Sequence, residues 1–351
     1  MSVLMVGVDE STKGGMWTVV ENYLNSENFV KDNDLVYIPT SITGCSPVKK
    51  VLFTLKSFYK IRRVYKMKEF NILHAHMSER SSIVRKRWIM KYAKKHGSKI
   101  VLHMHGAEFE VLYKAMTEEQ KKKVRDTLEL ADRILILGEY WSDFIGGLVK
   151  QSSKVVVLYN AINVPNEYLY SKNSNSILFL GAISKRKGIN ELLQALDNIS
   201  DQLKDKYVVS IYGPDVEGNV NSKIENHRLE KWVKYCGWLD KDNKPSILAS
   251  TAINVLPSYN EGLPMTILEA MSYGIPSVTT NVAAIPEAVN STNGILVSPG
   301  NIKELEEALL KIALDDDFRY NLSKKSYEDA KEKFSVEKHI LQVQKIYKEL
   351  V

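Results

Sequence analysis

The sequence predicts an α/β fold made of two doubly wound, Rossmann-like parallel sheets, and three observations predict it. The chain has 351 residues, enough for about two domains at roughly 150 residues each. Short apolar runs alternate with helical stretches from end to end, the pattern of strands covered on both faces by crossover helices. The alternation is interrupted once, by the polar segment Pro165 to Ser176, which separates residues 1–165 from 166–335 and a terminal helix. Apolar residues make up 44% and charged residues 26% of the chain, ordinary globular usage that excludes a disordered or collagen-like polymer.

In order along the first half, Val3 to Val8 lacks a basic region before it and runs into Asp9 and Glu10, so it reads as a strand and not a signal peptide. Leu35 to Ile38, Ile72 to Ala75, Ile100 to His103, Arg133 to Leu137 and Val155 to Leu158 are the next strands. Helices are expected near Met16 to Leu24, Val48 to Lys68, Ser81 to Lys95, Glu118 to Leu130 and Tyr140 to Val149. Thr117, with Gln120 at the third helical position, is a capping-box start. The second half restarts with Ile177 to Leu180 and continues through Val208 to Tyr212, Trp232 to Tyr235, Ala252 to Leu256, Ser277 to Thr280 and Ile295 to Val297. Helices Ile302 to Leu314, Phe318 to Lys333 and Val336 to Leu350 close the chain. No run approaches the ~20 apolar residues of a transmembrane helix. Cys45 and Cys236 are far apart and outside any CxxC, which argues against a disulfide framework and fits a reducing cytoplasm.

Charge is uneven. Residues 1–165 carry 26 basic and 17 acidic side chains, and most of the excess lies between Lys49 and Lys99, where 16 basic residues face only Glu69 and Glu79. There Val51, Leu52, Leu55, Phe58, Tyr59, Ile61, Val64 and Tyr65 recur as one stripe of an amphipathic helix, with Lys56, Lys60, Arg62, Arg63, Lys66 and Lys68 around them. Such a helix suits an anionic membrane surface or, equally, the solvated face of a helix packed on a sheet. No nucleic-acid module pattern accompanies the charge, so no nucleic-acid partner is expected.

In open parallel sheets ligands sit beyond the carboxyl ends of the strands. Four motifs fall there. Gly14 and Gly15 follow the first strand and lead into a helix, a turn able to offer amides to a phosphate. His74-Ala-His76 and His103-Met-His105 end two strands, and each pair has the spacing of a metal chelate; otherwise His74 and His103 are hydrogen-bonded core residues and His105, beside Gly106, faces the cleft. Lys185, Arg186 and Lys187 precede Gly188 and a helix, a cationic turn suited to a diphosphate. Most specific is Glu261-Gly-Leu-Pro-Met-Thr-Ile-Leu-Glu269. A loop carboxylate is followed by a helix start at Leu263, Pro264, Met265 and Thr266, with Glu269 one turn in, where it can accept from the vicinal diol of a ribose.

These motifs together resemble glycosyltransferase family 4, the retaining group 1 transferases of GT-B fold, across most of the chain. The likeness rests on the Gly14-Gly15 loop, HAH, HMHGAE, LYNAINV, KRKG and the E-x7-E element running on through MSYGIPSVTTNVAAIPE. It implies metal-free transfer, with configuration kept, of a hexosyl or N-acetylhexosaminyl group from a nucleotide-sugar, a UDP-sugar before a GDP-sugar, to an acceptor hydroxyl, and the basic first domain points to a growing lipid-linked cell-surface polysaccharide as that acceptor. By position, His105 resembles the cleft histidine near the donor sugar, Glu261 the sugar-contacting carboxylate, Glu269 the ribose ligand and Lys187 the diphosphate lysine. Gly237, Trp238 and Leu239 are expected at the base. The terminal helix is expected to cross back onto the first domain. Where the family has an arginine after the glycine of the cationic turn, this chain has Ala182, and Lys185 or Arg186 is expected to replace it. With the cysteine usage and the basic segment 49–99, the expected enzyme is cytoplasmic and able to sit peripherally on the inner membrane face. The competing functions are a metal-dependent hydrolase using the HxH pairs, a nucleotide-sugar 2-epimerase and a non-catalytic nucleotide-sugar-binding subunit.

Overall fold

The computed structural model describes every residue except Lys13, which falls in the loop after the first strand. The chain packs into two compact units, Met1–Ala161 with Val336–Val351, and Ile162–Ser335.

The first unit contains β1 (Val3–Val8), α1 (Gly15–Leu24), α2 (Glu27–Asp32), β2 (Val36–Ser41), α3 (Pro47–Met67), β3 (Ile72–Met77), α4 (Ser81–Lys95) and β4 (Lys99–Met104). It continues with α5 (Phe109–Lys114), α6 (Glu118–Leu128), β5 (Arg133–Ile136), α7 (Ser142–Gly146) and β6 (Val155–Val157). The strands form one parallel sheet in the order β2-β1-β3-β4-β5-β6. Thr117 forms the expected capping box with Gln120. The helix read from Tyr140 to Val149 breaks into a 3₁₀ turn, Glu139–Trp141, and the short α7. Gly146 and Gly147 disfavour helix continuation there.

The second unit contains β7 (Ser176–Leu180), α8 (Ile189–Asn198), α9 (Ser200–Leu203), β8 (Val208–Tyr212), α10 (Val220–Asn226), β9 (Val233–Gly237), α11 (Lys244–Ala249) and β10 (Thr251–Leu256). It ends with α12 (Met265–Ser272), β11 (Ser277–Thr280), α13 (Ile285–Ala288), β12 (Gly294–Val297), α14 (Ile302–Leu314) and α15 (Asp316–Lys333). Its strands, also parallel, are ordered β12-β11-β10-β7-β8-β9. The order reverses between β7 and β10, and such switch points open a crevice at the strand ends. Segment 165–176 is packed rather than loose. The Tyr170 side chain is buried, donates to Ala252 O at 3.1 Å and receives the Arg319 Nε–H at 3.0 Å.

The last helix, α16 (Val336–Leu350), belongs to the first unit. His339 Nδ1 lies 2.8 Å from Tyr159 O, and Gln342 Nε2 donates to Val157 O at 2.8 Å. The chain enters and leaves the second unit side by side, since Ile162 N donates to Phe334 O at 2.8 Å.

The basic helix α3 departs from the expected single stripe. Only Ser57, Ile61 and Tyr65 are buried, whereas Val51, Leu52, Leu55 and Tyr59 are exposed. The reason is topological: α3 packs on β2, an edge strand, which covers one row of the helix and leaves the second apolar row without a sheet beneath it.

Candidate active site

In the second unit, the turn after β7 and the loop after β10 meet at the switch point. Lys185–Lys187 form one 3₁₀ turn, and Gly188 then takes the left-handed conformation, φ 74°, before α8 begins. A Cβ on Gly188 would lie 2.0 Å from Pro257 O, so only glycine lets the cationic turn rest against the end of β10. α8 holds this turn down by burying Ile189, Leu192, Leu193 and Leu196 on one face.

Of the three cations, one enters the site fully. Lys187 is buried, and its ammonium donates to Glu261 Oε1. Glu261 is buried too and accepts from Ser258 Oγ at 2.8 Å. Arg186 donates to Asn260 O at 2.6 Å and stands 3.7 Å from Glu261 Oε2, and its own carbonyl receives the Tyr259 amide at 2.8 Å. Lys185 stays exposed, its amide bonded to Glu217 Oε1 at 3.2 Å. Two cations therefore converge on one carboxylate, which leaves the cluster with net positive charge, and Lys187 retains two further N–H donors.

Beside them α12 starts at Met265 after Pro264, with its first amides free of intrahelical acceptors. The Leu263, Pro264 and Met265 side chains are buried and fix the turn; the Thr266 hydroxyl is buried without a partner. Glu269 Oε1 accepts from Lys244 Nζ at 2.8 Å, while Oε2 is buried with no partner. Lys244, at the start of α11, lies outside every motif read from the sequence, and only its KP pairing at a helix start could have drawn notice. Gly237 adopts φ 75° at the end of β9, and its carbonyl receives the Gly213 amide at 2.7 Å. The Leu239 side chain is taken up by a cluster with Tyr170, Leu178 and Leu248, so only its backbone is available to a ligand, whereas Trp238 is 47% exposed.

In the first unit Gly14 caps α1 with φ 140°, a conformation that favours glycine, and Gly15 opens the helix. His105 follows β4, its amide bonded to Met77 O at 2.8 Å and its Nε2 2.9 Å from His76 Nδ1. Gly106 packs against Glu79, where a Cβ would lie 2.5 Å from the carboxylate oxygen. Burial, with the nearby His339 and Lys86 charges, pushes the His105 imidazole down to about 3, so it is neutral near pH 7.

His74, His76 and His103 lie behind it, fully buried and in partial stacks, with ring centroids of His74 and His76 4.5 Å apart. His74 Nδ1 bonds the Tyr347 hydroxyl at 2.5 Å, but neither nitrogen of His103 has a hydrogen-bond partner, which corrects the expected fully bonded core pair. Ligand atoms of these three histidines fall within 4.8 Å of one another. A tetrahedral zinc centre with bonds of about 2.0–2.1 Å needs closer nitrogens. Stacked rings present their edges side by side, so these histidines fit a metal only after turning.

A sequence model of the family described as glycosyl transferases group 1 matches residues 162–329. An uncharacterized 41.2 kDa protein in the cps region of Klebsiella pneumoniae is 28% identical over 322 residues, covering 84% of this chain and 86% of that protein. A UDP-Gal:alpha-D-GlcNAc-diphosphoundecaprenol alpha-1,3-galactosyltransferase of Escherichia coli is 23% identical over 339 residues, 90% of this chain and 84% of that enzyme. The crystal structure of Anabaena HepE with UDP superposes with a TM-score of 0.76 at 16% identity, covering 99% of this chain and 100% of that one.

Proposed function

We propose that this chain, whose residues 162–329 match a family model described as glycosyl transferases group 1 and whose fold is GT-B, is a retaining transferase acting from a nucleotide-sugar onto a lipid-linked saccharide. The donor is a UDP-sugar carrying a hexosyl or N-acetylhexosaminyl group, and the product is part of a cell-surface polysaccharide. The observation that carries this reading is the buried Lys187–Glu261 pair at the switch point beside the start of α12. The relative that acts on a diphosphoundecaprenol-linked sugar and the neighbour that holds UDP support the choice of substrates.

The anomeric C–O bond of the donor breaks while negative charge grows on the departing diphosphate. The spare N–H groups of Lys187, the Arg186 guanidinium and the α12 amides stabilise that charge in a pocket of low dielectric. Arg186, already aimed at the Asn260–Glu261 loop, takes the place of the arginine that Ala182 replaces. With this cation set the leaving group is stabilised without a divalent ion. Glu261 accepts from hydroxyls of the transferred sugar. Glu269 Oε2 accepts from the ribose, and backbone near Gly237 to Leu239 meets the base. The acceptor hydroxyl attacks on the face the diphosphate leaves and yields its proton to a diphosphate oxygen, so configuration is kept. The cationic, partly apolar surface of α3 keeps the enzyme on an anionic membrane where such acceptors reside.

The test is acceptor-dependent release of UDP from a panel of UDP-sugars, with a polyprenyl-diphosphate-linked sugar as acceptor. Transfer to the acceptor with an α-linked product from an α-linked donor is expected. Donor binding with no release under any acceptor overturns the enzyme in favour of a binding subunit. Loss of activity in EDTA and its return with zinc favours the histidine-based hydrolase instead.

A further inference from the structure

On the face of the first sheet that carries α4 and α6, a groove of about 560 Å3 runs between the two helices. That volume lies within the ~300–1,000 Å3 range of ligand pockets. Its floor is apolar, formed by Ile83, Met116 and Val124, and its walls are Val84 and Trp88. Those two are 59% and 64% exposed, although both sit in a helix that otherwise turns its apolar residues to the sheet. The rim is cationic. Arg87 and Lys123 have acidic partners, Asp126 at 3.8 Å and Glu119 at 2.6 Å, but Arg80 and Lys91 have no ion pair among the described residues. Arg80 sits at φ 55° and ψ −123°, a strained backbone for a residue with a Cβ, and this conformation places it at the carboxyl end of β3 where the groove begins. The same end of the sheet carries His105 and Gly106, beside Glu79.

We propose that this groove holds the hydrocarbon chain of a phosphate-bearing lipid, with the phosphate at Arg80, where the groove begins, and with Lys91, about 16 Å further along α4, adding positive charge to the same rim. An apolar trough takes a hydrocarbon chain, and two unpaired cations on its rim supply the complementary charge for the head group. The α4 side of the groove belongs to the segment from Lys49 to Lys99 that holds 16 basic and two acidic residues, so the long-range field draws an anionic amphiphile to it. The inference rests on the reading of the acceptor as lipid-linked, and it places that lipid's chain along α4 and α6.

The test uses the full chain and submicellar dodecyl phosphate, with dodecyl maltoside and inorganic phosphate as comparisons. Trp88 reports occupancy through a blue shift of its emission, isolated as the difference between the wild type and Trp88→Phe. Saturable binding of dodecyl phosphate at least tenfold tighter than dodecyl maltoside is expected, with no shift from inorganic phosphate. Val84→Asp, at an exposed position that leaves the core intact, should abolish the shift, and Arg80→Gln with Lys91→Gln should erase the preference for the phosphate. In turnover, Val84→Asp should raise KM for a lipid-linked acceptor at least tenfold while leaving a short water-soluble acceptor glycoside unaffected. Equal response to both detergents, no response to dodecyl phosphate, or capture of an amphipathic peptide in its place overturns the proposal. If no acceptor of any kind is glycosylated while the Trp88 shift persists, the transferase reading fails and the groove assignment stands.

Discussion

Lys187, on the turn after β7, donates its ammonium to Glu261, on the loop after β10, and so joins two buried charged residues 74 positions apart at the switch point of the second sheet. Neither residue is well placed without the other. A buried ammonium or carboxylate is tolerated when paired, and removing one partner leaves the other uncompensated.

Lys187→Met is therefore expected to lower both stability and rate. Arg186 and Ser258 remain near Glu261, so the loss should be near the low end for a broken buried pair, about 3 kcal/mol. Turnover should fall at least hundredfold, on the order reported when one donor to a developing anion is removed. The double variant Lys187→Met with Glu261→Gln should regain most of the stability but none of the activity. Urea denaturation alongside initial rates separates the two effects, and a single variant of wild-type rate refutes the assignment.

Glu269→Gln should act on donor affinity. It keeps the shape but removes the charge that Lys244 and a diol share, so KM for the donor should rise about 10- to 100-fold, equivalent to one hydrogen bond to a charged group. The rate constant at saturation should change little. Lys244→Met should give a similar split between KM and kcat, because it leaves the Glu269 carboxylate unpaired and free to turn away. A donor-saturation curve for each variant reads this directly.

Gly188→Ala tests the contact between the cationic turn and β10. Its φ of 74° already disfavours alanine, and the new Cβ would press on Pro257 O at 2.0 Å, backbone against backbone. Gly218→Ala shares the positive φ, 71°, but meets nothing within 4 Å. The second variant should lose about 1 kcal/mol and the first clearly more. Only Gly188→Ala should also weaken donor binding. Thermal denaturation with and without UDP distinguishes them.

The histidine cluster of the first unit makes stability depend on pH. Burial holds His74, His76 and His103 well below the usual imidazole range, His339 at about 4 and His105 at about 3. Tyr23 from α1, Tyr347 from α16 and Lys86 from α4 face the same cluster. The unfolded chain protonates these rings near pH 6.5 and the folded chain resists, so unfolding takes up protons. The neutral-state stability is present above pH 6.5 and is lost as pH falls toward 4, at up to about 1.4 kcal/mol per pH unit for each ring. The urea midpoint should drop steeply over that window and less steeply in His339→Gln. A flat profile would show that the cluster takes up protons without unfolding.

The exposed row of α3 predicts membrane binding. Leu55 and Tyr59 are 61% and 69% exposed beside Arg62 and Arg63. Each cation near an anionic surface contributes about 1 kcal/mol. Arg62→Glu with Arg63→Glu should reduce flotation with phosphatidylserine vesicles at least tenfold, and Leu55→Asp should reduce it further in high salt, where the charges are screened. Unchanged flotation removes the membrane from the reading.

Much of the architecture was legible along the chain. Val3–Val8 and Ser277–Thr280 are strands at the residues expected, and α4 spans Ser81–Lys95 as read, because a continuous apolar run or a helical spacing is a property of neighbouring residues. Positions of the glycine loop, the cationic turn and the E-x7-E element relative to strand ends followed from the same local signals. Less legible were the short helices α9, α10 and α11, whose few turns carry too little period to register.

Local order therefore settled the class of fold and which loops face the carboxyl ends of the strands. The pairing of side chains across those loops was left to the assembled sheet. Lys187 rather than Lys185 is buried against Glu261, Lys244 reaches Glu269, and Leu55 faces outward although it belongs to an apolar stripe. Each outcome depends on which strands become neighbours, and strand order brings together residues tens of positions apart whose mutual burial and charge no stretch of sequence contains.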